Sequence, residues 1–325
     1  MPNLPELLEG VKARQVRALA KAISLAENAP SSAEHLLAGL GSVAPRSLVV
    51  GITGATGVGK STLIKALIEQ GLKDDLRIAV LAVDPSSPLS GGALLGDRIR
   101  MVVPETEPER LFIRSLSSRG NDGGVSRGIA VTIQLVRHAG YDVVLVETTG
   151  AGQCEFDVVR FVDLVCVLLA EGFGDELQAM KSGLMEIADL LVINKCRRPG
   201  TANLHRELES HLAHSSRFER FGLLQPPVLL TDALSGNGIA ELWLRLKALA
   251  QDEACLAACA RKRQHLAHYS AVASILELLK GRLLARLRED SVSVNIATLP
   301  PLELRRWLLE VCHEELSRKH YAEEN

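Results

Sequence analysis

A glycine-rich segment near the start of the chain limits the folds open to it more than any other feature. Residues 54–61, GATGVGKS, match the pattern G-x-x-x-x-G-K-[ST]. They follow the apolar run of residues 47–52, which is typical of a buried parallel strand, and they lead into Ser61–Gln70, whose apolar spacing predicts a helix. Strand, loop and helix in this order predict a phosphate-binding loop at the edge of an α/β sheet.

The chemistry of this loop predicts that the chain binds a nucleoside triphosphate together with Mg²⁺. Glycines allow backbone N–H groups to converge on phosphate oxygens, Lys60 can reach the terminal phosphates, and the Ser61 hydroxyl can ligate Mg²⁺. A glycine turn that fits the pattern by chance is the alternative, and the order of the flanking elements disfavours it. The residues predicted to surround the phosphates are Gly54, Ala55, Thr56, Gly57, Val58, Gly59, Lys60, Ser61 and Thr62.

Seven short apolar segments predict the strands of the sheet. The helical or loop segments between them permit parallel crossovers, so the pattern predicts a doubly wound, mostly parallel α/β sheet. The predicted strands are Leu48–Thr53, Ile78–Val83, Leu111–Ile113, Val143–Glu147, Leu164–Leu169, Leu190–Asn194 and Val228–Thr231.

One helical segment precedes the predicted strands in the sequence, and another follows them. Leu4–Glu27 has apolar residues at helical spacing and predicts one helix, while the sequence after Gly238 is helical almost to its end, with a break at Pro300-Pro301. An apolar stripe within residues 275–287 can pack on its own domain or against a second subunit. We therefore expect an N-terminal helical segment (1–44), a nucleotide-binding domain (45–250) and a C-terminal helical extension (251–325).

Composition and charge exclude several classes of partner. The chain has 325 residues and a formal net charge of -2, so no electrostatic attraction favours nucleic acid or an anionic membrane. No apolar stretch reaches the roughly 18–20 residues of a membrane helix. Met1–Gly10 has neither the basic start nor the apolar middle of a signal peptide. We therefore expect a cytoplasmic protein that binds neither membranes nor nucleic acid.

The six cysteines are scattered, and no Cys-x-x-Cys pair occurs, so most are predicted to be free thiols. Cys166 lies in a predicted strand and is interpreted as a small core residue. Cys255 and Cys259 are four residues apart on a predicted helix and could share a metal. An ordinary helix face is favoured, because no histidine stands beside them at the spacing of a structural zinc site.

Acidic residues follow two of the predicted strands. Asp84 and Glu147 stand at carboxyl ends of strands, where α/β sheets bind their ligands, so both are candidates for Mg²⁺ or its water. Gly150 follows Glu147 by three residues, and its N–H could meet a γ-phosphate; this stretch resembles a Walker B strand followed by switch II. Asp97 lies in a glycine-rich segment between the two. Taken singly, such acids are as often surface or helix-capping residues.

Six motifs occur in order along the chain and together resemble the MeaB/ArgK family of GTPases, which associate with cobalamin-dependent mutases. Gly174-Asp175-Glu176-Leu177-Gln178 and Gly152-Gln153-Cys154-Glu155 are the most specific, and the resemblance runs to about Arg263. The six motifs are Gly-x-x-Gly-x-Gly-Lys-Ser, Val-Asp-Pro-Ser-Ser, Gly-Gly-x-x-Leu-Gly-Asp-Arg, Gly-Gly-Val-x-Arg, Val-Glu-Thr-x-Gly-x-Gly-Gln-x-Glu and Gly-Asp-Glu-Leu-Gln.

This resemblance implies a homodimeric P-loop GTPase that binds GTP or GDP with Mg²⁺ and chaperones an adenosylcobalamin-dependent acyl-CoA mutase, typically methylmalonyl-CoA mutase. GTP binding and hydrolysis would gate delivery of the cofactor and protect the mutase from inactivation. Gly150–Glu155 would form switch II, and Gly172–Lys181 would report the nucleotide state. The resemblance also implies a magnesium shell of Ser61, Asp84, Asp97 and Glu147, and a catalytic set of Lys60, Asp97 and Glu147.

The segments expected to bind the base depart from the family pattern at two positions. Arg197 replaces the aspartate of Asn-Lys-x-Asp and cannot accept a hydrogen bond from guanine, while Asp232 replaces the serine of Thr-Ser-Ala-Leu. We expect Asp232 to come close to Arg197 and either to neutralise it or to replace it as the acceptor. The alternative is that both side chains point to solvent. The residues expected at the base are Asn194, Lys195, Asp232, Ala233 and Leu234.

Three other functions fit parts of the sequence. Metal-insertion chaperones of the nickel type share the doubly wound architecture, but the chain lacks their Cys/His-rich tract. A kinase acting on a transport protein would need an acceptor pocket with a catalytic base, which no motif supplies. A nucleotide-binding scaffold with relaxed base specificity is compatible with the altered base segments.

Overall fold

The computed structural model describes residues 4–28, 35–36, 38–41, 47–85, 109–118, 124–148, 160–172, 184–214, 225–262 and 264. The chain divides into two compact units, Met1–Leu266 and Ala267–Asn325, and all of the described residues belong to the first. Several predictions lie outside the described residues: Asp97, Gly150, the two segments Gly150–Glu155 and 173–181, and the apolar stripe within 275–287. Of Asp84, only the backbone is described.

Seven strands form one sheet in the described part of the chain. Their order is β3-β2-β4-β1-β5-β6-β7, and each neighbouring pair is parallel. This confirms the predicted doubly wound α/β fold. The strands are β1 (Leu48–Gly54), β2 (Ile78–Pro85), β3 (Leu111–Ser118), β4 (Val143–Thr148), β5 (Leu164–Leu169), β6 (Leu190–Ile193) and β7 (Val228–Leu230).

Helices cover both faces of the sheet, which explains why the central strands are continuous apolar runs. Every residue of β4, β5 and β6 is buried. One apolar cluster joins one face of the sheet to α1, α2, α4 and α6, and a second joins the other face to α3, α7 and α8. The helices are α1 (Leu4–Lys12), α2 (Val16–Asn28), α3 (Lys60–Lys73), α4 (Gly124–His138), α5 (Leu184–Ile187), α6 (Thr201–His214), α7 (Ile239–Gln251) and α8 (residues 253–262).

The single helix predicted over Leu4–Glu27 is wrong, because the chain turns between α1 and α2. Arg14 adopts a positive φ of 63°, which ends the first helix. Gly10 then allows the two helices to approach closely, since a Cβ added there would lie 2.7 Å from the Cβ of Ala18. Apolar spacing could not reveal this turn, because both helices bury their apolar faces in the same core.

Strand β3 is five residues longer than predicted. It lies at an edge of the described sheet, where polar side chains can leave the core. Arg114 is one such residue, and its Nη2 donates to Ser24 Oγ at 3.0 Å and to Glu27 Oε2 at 2.5 Å. These contacts attach α2 to β3. The apolar-run criterion therefore ended the strand too early.

The position of β1 determines where a ligand can bind. It lies between β4 and β5, so the chain after β1 crosses to β2 on one side, and the later strands β5, β6 and β7 extend the sheet on the other. In open parallel sheets, such a reversal leaves a crevice at the carboxyl ends of the strands. Residues 54–60, which begin at the end of β1, lie at this crevice.

Candidate nucleotide-binding site

The glycine loop after β1 requires glycine at its first position for two reasons. Gly54 has a φ of 140°, and a Cβ added there would lie 2.3 Å from the carbonyl oxygen of Leu168 in β5. Gly59, with a φ of 103°, immediately precedes α3, and its carbonyl accepts a hydrogen bond from Leu63 N at 2.9 Å. The loop therefore turns sharply from the strand into the helix, as a phosphate-binding loop must.

Lys60 lies where this loop enters α3. Its side chain is only 7% exposed, and Nζ donates to the carbonyl oxygens of Gly54 at 2.7 Å and Ala55 at 3.0 Å. A buried ammonium group needs such partners, because leaving it unpaired is costly. The ammonium is thus held at the mouth of the loop, where the phosphate chain of a nucleotide would lie.

Two of the predicted magnesium ligands are in direct contact. Ser61, in the first turn of α3, donates from Oγ to Glu147 Oε1 at 2.8 Å, and Glu147 is buried near the end of β4. A hydroxyl oxygen and a carboxylate oxygen at this spacing are the oxygen donors that Mg²⁺ prefers, so these residues fit the ion. Within the described ranges, no group of three or more His, Cys, Asp or Glu residues is placed to hold a metal.

The backbone of Asp84 places it at the same edge of the sheet. In the parallel register of β2 and β4, Ala82 pairs with Glu147, so Asp84 follows two residues beyond that level. This position agrees with the prediction that Asp84 stands at the carboxyl end of a strand.

Sequence reasoning missed a pair of hydroxyl groups beneath the loop. Thr148 Oγ1 donates to Thr53 Oγ1 at 2.9 Å, and both side chains are buried. The bond joins the last residues of β4 to those of β1, directly beside Glu147 and Gly54. A signal was present in the sequence, because each threonine adjoins a predicted site residue at the end of an otherwise apolar strand.

Asn194 joins three loops on the other side of the glycine loop. It is 2% exposed, and its Nδ2 donates to the carbonyl oxygen of Val58 at 3.0 Å. Its Oδ1 accepts from Thr231 Oγ1 at 3.2 Å and from Ala233 N at 3.0 Å. One buried amide therefore fixes the segment after β7 relative to the phosphate loop, as a base-binding wall requires.

Lys195 lies across the glycine loop from the same side. It adopts a positive φ of 56°, and its Nζ donates to the carbonyl oxygen of Gly57 at 2.8 Å. Burial lowers the pKa of Lys195, and the nearby charge of Arg198 lowers it further. Leu234, by contrast, is 90% exposed in the turn after β7.

Arg197 and Asp232 meet at this wall, which confirms the expectation that they come close. Nε of Arg197 lies 3.5 Å from Oδ2 of Asp232. The Arg197 side chain is 71% exposed, whereas that of Asp232 is only 17% exposed. The acid is therefore the more buried member of the pair.

The glycine loop, the Ser61–Glu147 pair and the Asn194 wall all lie at the reversal point of a parallel sheet. This combination defines a P-loop nucleotide-binding protein. The chain belongs to a family of such proteins, described as methylmalonyl Co-A mutase-associated GTPase MeaB, whose model matches residues 19–290. The family inferred from the motifs is thus confirmed, and the protein is a P-loop GTPase.

Individual relatives agree with this assignment. The chain is 38% identical over 247 residues to GTPase ArgK of Escherichia coli, a match that covers 74% of each. It is 42% identical over 248 residues to a putative GTPase of Pyrococcus horikoshii, covering 76% of this chain and 78% of the relative. The chain is also 39% identical over 225 residues to the mitochondrial methylmalonic aciduria type A homolog of Mus musculus, and this match covers 68% of this chain and 53% of the relative.

A solved structure shares the fold over almost the whole length. The crystal structure of a LAO/AO transport system kinase is similar with a TM-score of 0.64 at 29% identity, and the match covers 94% of this chain and 96% of the other.

None of the described helices combines the length and hydropathy needed to cross a bilayer.

Proposed function

We propose that the protein is a GTP-binding and GTP-hydrolysing chaperone that gates cofactor loading and protection of an adenosylcobalamin-dependent acyl-CoA mutase, with methylmalonyl-CoA mutase as the expected partner. The observation that carries this proposal is the built P-loop site, with Lys60 and the Ser61–Glu147 pair, in a member of a family named for association with that mutase.

The phosphates of GTP would be held by the loop itself. Backbone N–H groups of residues 54–62 would bind phosphate oxygens, and Lys60 would exchange its contacts with loop carbonyls for contacts with the terminal phosphates. Ser61, Glu147, Asp84 and Asp97 would hold Mg²⁺ directly or through water. When bound, this ion would offset the charge that develops on the phosphate oxygens.

Other residues would contact the γ-phosphate during hydrolysis and hold the base. Attack of water on the γ-phosphorus releases phosphate and GDP, and the Gly150 N–H would contact the γ-phosphate before cleavage. Asn194 and Lys195 would fix the base wall against the phosphate loop, with Ala233 N and Leu234 beside the ring. Intrinsic turnover should be slow, and binding of the mutase would complete the site.

The proposal extends to the organisation of the protein. We assign the base and phosphates to the domain of residues 45–250 and a dimer contact to the helical extension of residues 251–325, and we expect the homodimer to act in the cytoplasm. Gly150–Glu155 and Gly172–Lys181 would change order with the nucleotide and so carry its state to the mutase.

Binding to the mutase should therefore depend on the nucleotide. A nucleotide can bias a partner only through different affinities of its states, so the dissociation constants for methylmalonyl-CoA mutase should differ between the nucleotide-free, GDP and GTP-analogue forms by about 5- to 150-fold. Titration of labelled protein with mutase measures these constants. The same titration with Lys73→Met, an exposed change at the far end of α3, serves as the matched control. Equal affinity in all three states would refute the proposed coupling.

A further inference from the structure

We propose that Asp232 is the residue that reads guanine, accepting hydrogen bonds from its N1–H and N2–H₂ groups. This inference rests on the proposed nucleotide binding and adds the determinant of base specificity. Asp232 follows β7, next to Ala233, whose N–H donates to Asn194, and Asn194 in turn donates to Val58 in the phosphate loop.

The chemistry of guanine requires such a group. Its N1–H and N2–H₂ donors point in the same direction, so a carboxylate with two acceptor oxygens is the matching partner. Arg197 cannot act as this partner, because a guanidinium group has five N–H donors and no acceptor. The Asp232 carboxylate stands 3.5 Å from Nε of Arg197, so the two loops bring an acceptor next to the side chain that lacks one.

The backbone of Asp232 is held firmly. Asp232 N donates to the carbonyl oxygen of Asn237 at 2.9 Å, and the Asp232 carbonyl accepts from Ser235 N at 3.2 Å, which closes a tight turn. On one side of it, Thr231 N donates to the carbonyl oxygen of Ile193, and on the other, Ala233 N donates to Asn194. The backbone that carries the carboxylate is therefore fixed relative to the phosphate loop, and a specificity residue needs such support.

The carboxylate also retains acceptor capacity. Among the described residues, Arg197 is the side chain that contacts the Asp232 carboxylate. The distance from Arg197 Nε to Asp232 Oδ2 is 3.5 Å, and the Arg197 side chain is 71% exposed. Such a long and solvated contact leaves lone pairs of both carboxylate oxygens available. Because Asp232 is itself 17% exposed, a hydrogen bond that it accepts is partly shielded from competition by water.

Changing the acceptor into an amide distinguishes this role from a structural one. Xanthine carries a carbonyl oxygen where guanine carries its N2 amine, so the donating amide of Asp232→Asn matches xanthine and mismatches guanine. We expect GTP affinity to fall ~10- to 100-fold and XTP affinity to rise, with inorganic tripolyphosphate affinity within about twofold of wild type. Calorimetric titrations of the full chain with each Mg²⁺ complex measure these values, and unchanged tripolyphosphate binding reports an intact phosphate loop.

Arg197→Gln is the matched control, since it removes the cation and leaves the carboxylate. It should keep GTP affinity within about threefold and retain the preference for GTP over XTP and ATP. The double variant Arg197→Asp/Asp232→Ser moves the carboxylate from position 232 to position 197. Asp232→Ser alone should lose GTP preference, and the double variant should recover it by more than the separate effects of Arg197→Asp and Asp232→Ser predict by addition, as expected for residues in contact.

An unchanged ratio of GTP to XTP affinity in Asp232→Asn would overturn the assignment. A wild-type protein that binds GTP, XTP and ATP equally would overturn it too, while leaving the phosphate site and the proposed function standing. Failure of the wild-type protein to bind tripolyphosphate or any triphosphate would instead refute the proposed function itself.

Discussion

Replacing Lys60 with methionine is expected to weaken the binding of Mg²⁺-GTP by roughly 30- to 150-fold, the equivalent of about 2–3 kcal/mol for a lost charge-assisted contact. Methionine keeps most of the buried aliphatic stem and removes the ammonium that now lies against the carbonyls of Gly54 and Ala55. With that charge gone, the terminal phosphates of GTP lose their cationic partner within the loop. Isothermal titration with a non-hydrolysable GTP analogue measures the effect.

Lys73→Met is the matched control, because Lys73 is an exposed lysine in the last turn of the same helix. It should bind GTP as the wild type does. Melting curves of both variants separate a loss of ligand contact from a loss of folding. Undiminished GTP affinity in Lys60→Met, with a melting curve like that of the wild type, would contradict the assignment of the phosphate site to this loop.

Lys262→Met is expected to lower the free energy of unfolding by about 3–5 kcal/mol, since it removes one member of a buried ion pair. Lys262 is 5% exposed, and its Nζ donates to Asp189 Oδ2 at 2.5 Å and to the Ile187 carbonyl at 2.7 Å. Asp189 also accepts from Val165 N at 2.8 Å and from Cys259 Sγ at 3.3 Å. The variant leaves this carboxylate, which is only 13% exposed, without its counter-charge.

Urea unfolding of the variant measures this change. Glu209→Ala is the control, because it removes an exposed partner of His205 on α6 and should cost less than about 0.5 kcal/mol. Equal small effects of the two changes would contradict the view that the Lys262–Asp189 pair anchors α8 to the amino ends of β5 and β6.

The surroundings of this pair also explain the two nearby cysteines. Cys255 and Cys259 are both buried and free, in the described part of a helix whose inner face meets Asp189. Burial, and secondarily the charge of Asp189, raises the pKa of both thiols. They are therefore expected to stay protonated and unreactive, which agrees with the interpretation of this segment as an ordinary packed helix face.

The parts of the fold that could be predicted from the sequence are those determined by local pattern. The buried strands appear as apolar runs because both faces of the sheet are covered, and Leu164–Leu169 was predicted with its observed bounds. The glycine loop was predictable because its conformation admits few other residues. Polar residues of the edge strand contact side chains distant in the sequence, and the turn at Arg14 joins two helices that bury their apolar faces in the same core, so local pattern missed both.

The same distinction applies within the candidate site. Ser61 and Glu147 were both proposed as metal ligands, but their mutual contact depends on the pairing of β1 with β4. The Thr53–Thr148 hydrogen bond and the contact of Lys195 with Gly57 are likewise products of the assembled sheet. The proximity of Arg197 and Asp232 was predictable, because an unmatched cation and an unmatched anion occur in the two segments that were predicted to bind the base.

The most direct test of the proposed chaperone function is the rate at which adenosylcobalamin is loaded onto cofactor-free methylmalonyl-CoA mutase. The visible spectrum of the bound cofactor reports loading, with the protein present in its GTP, GDP, GTP-analogue and nucleotide-free forms. We expect the rate or extent of loading to depend on the nucleotide, and Lys60→Met to abolish that dependence while Lys73→Met retains it. Loading that proceeds identically in every nucleotide state, and equally well without the protein, would contradict the proposal that this GTPase gates the mutase.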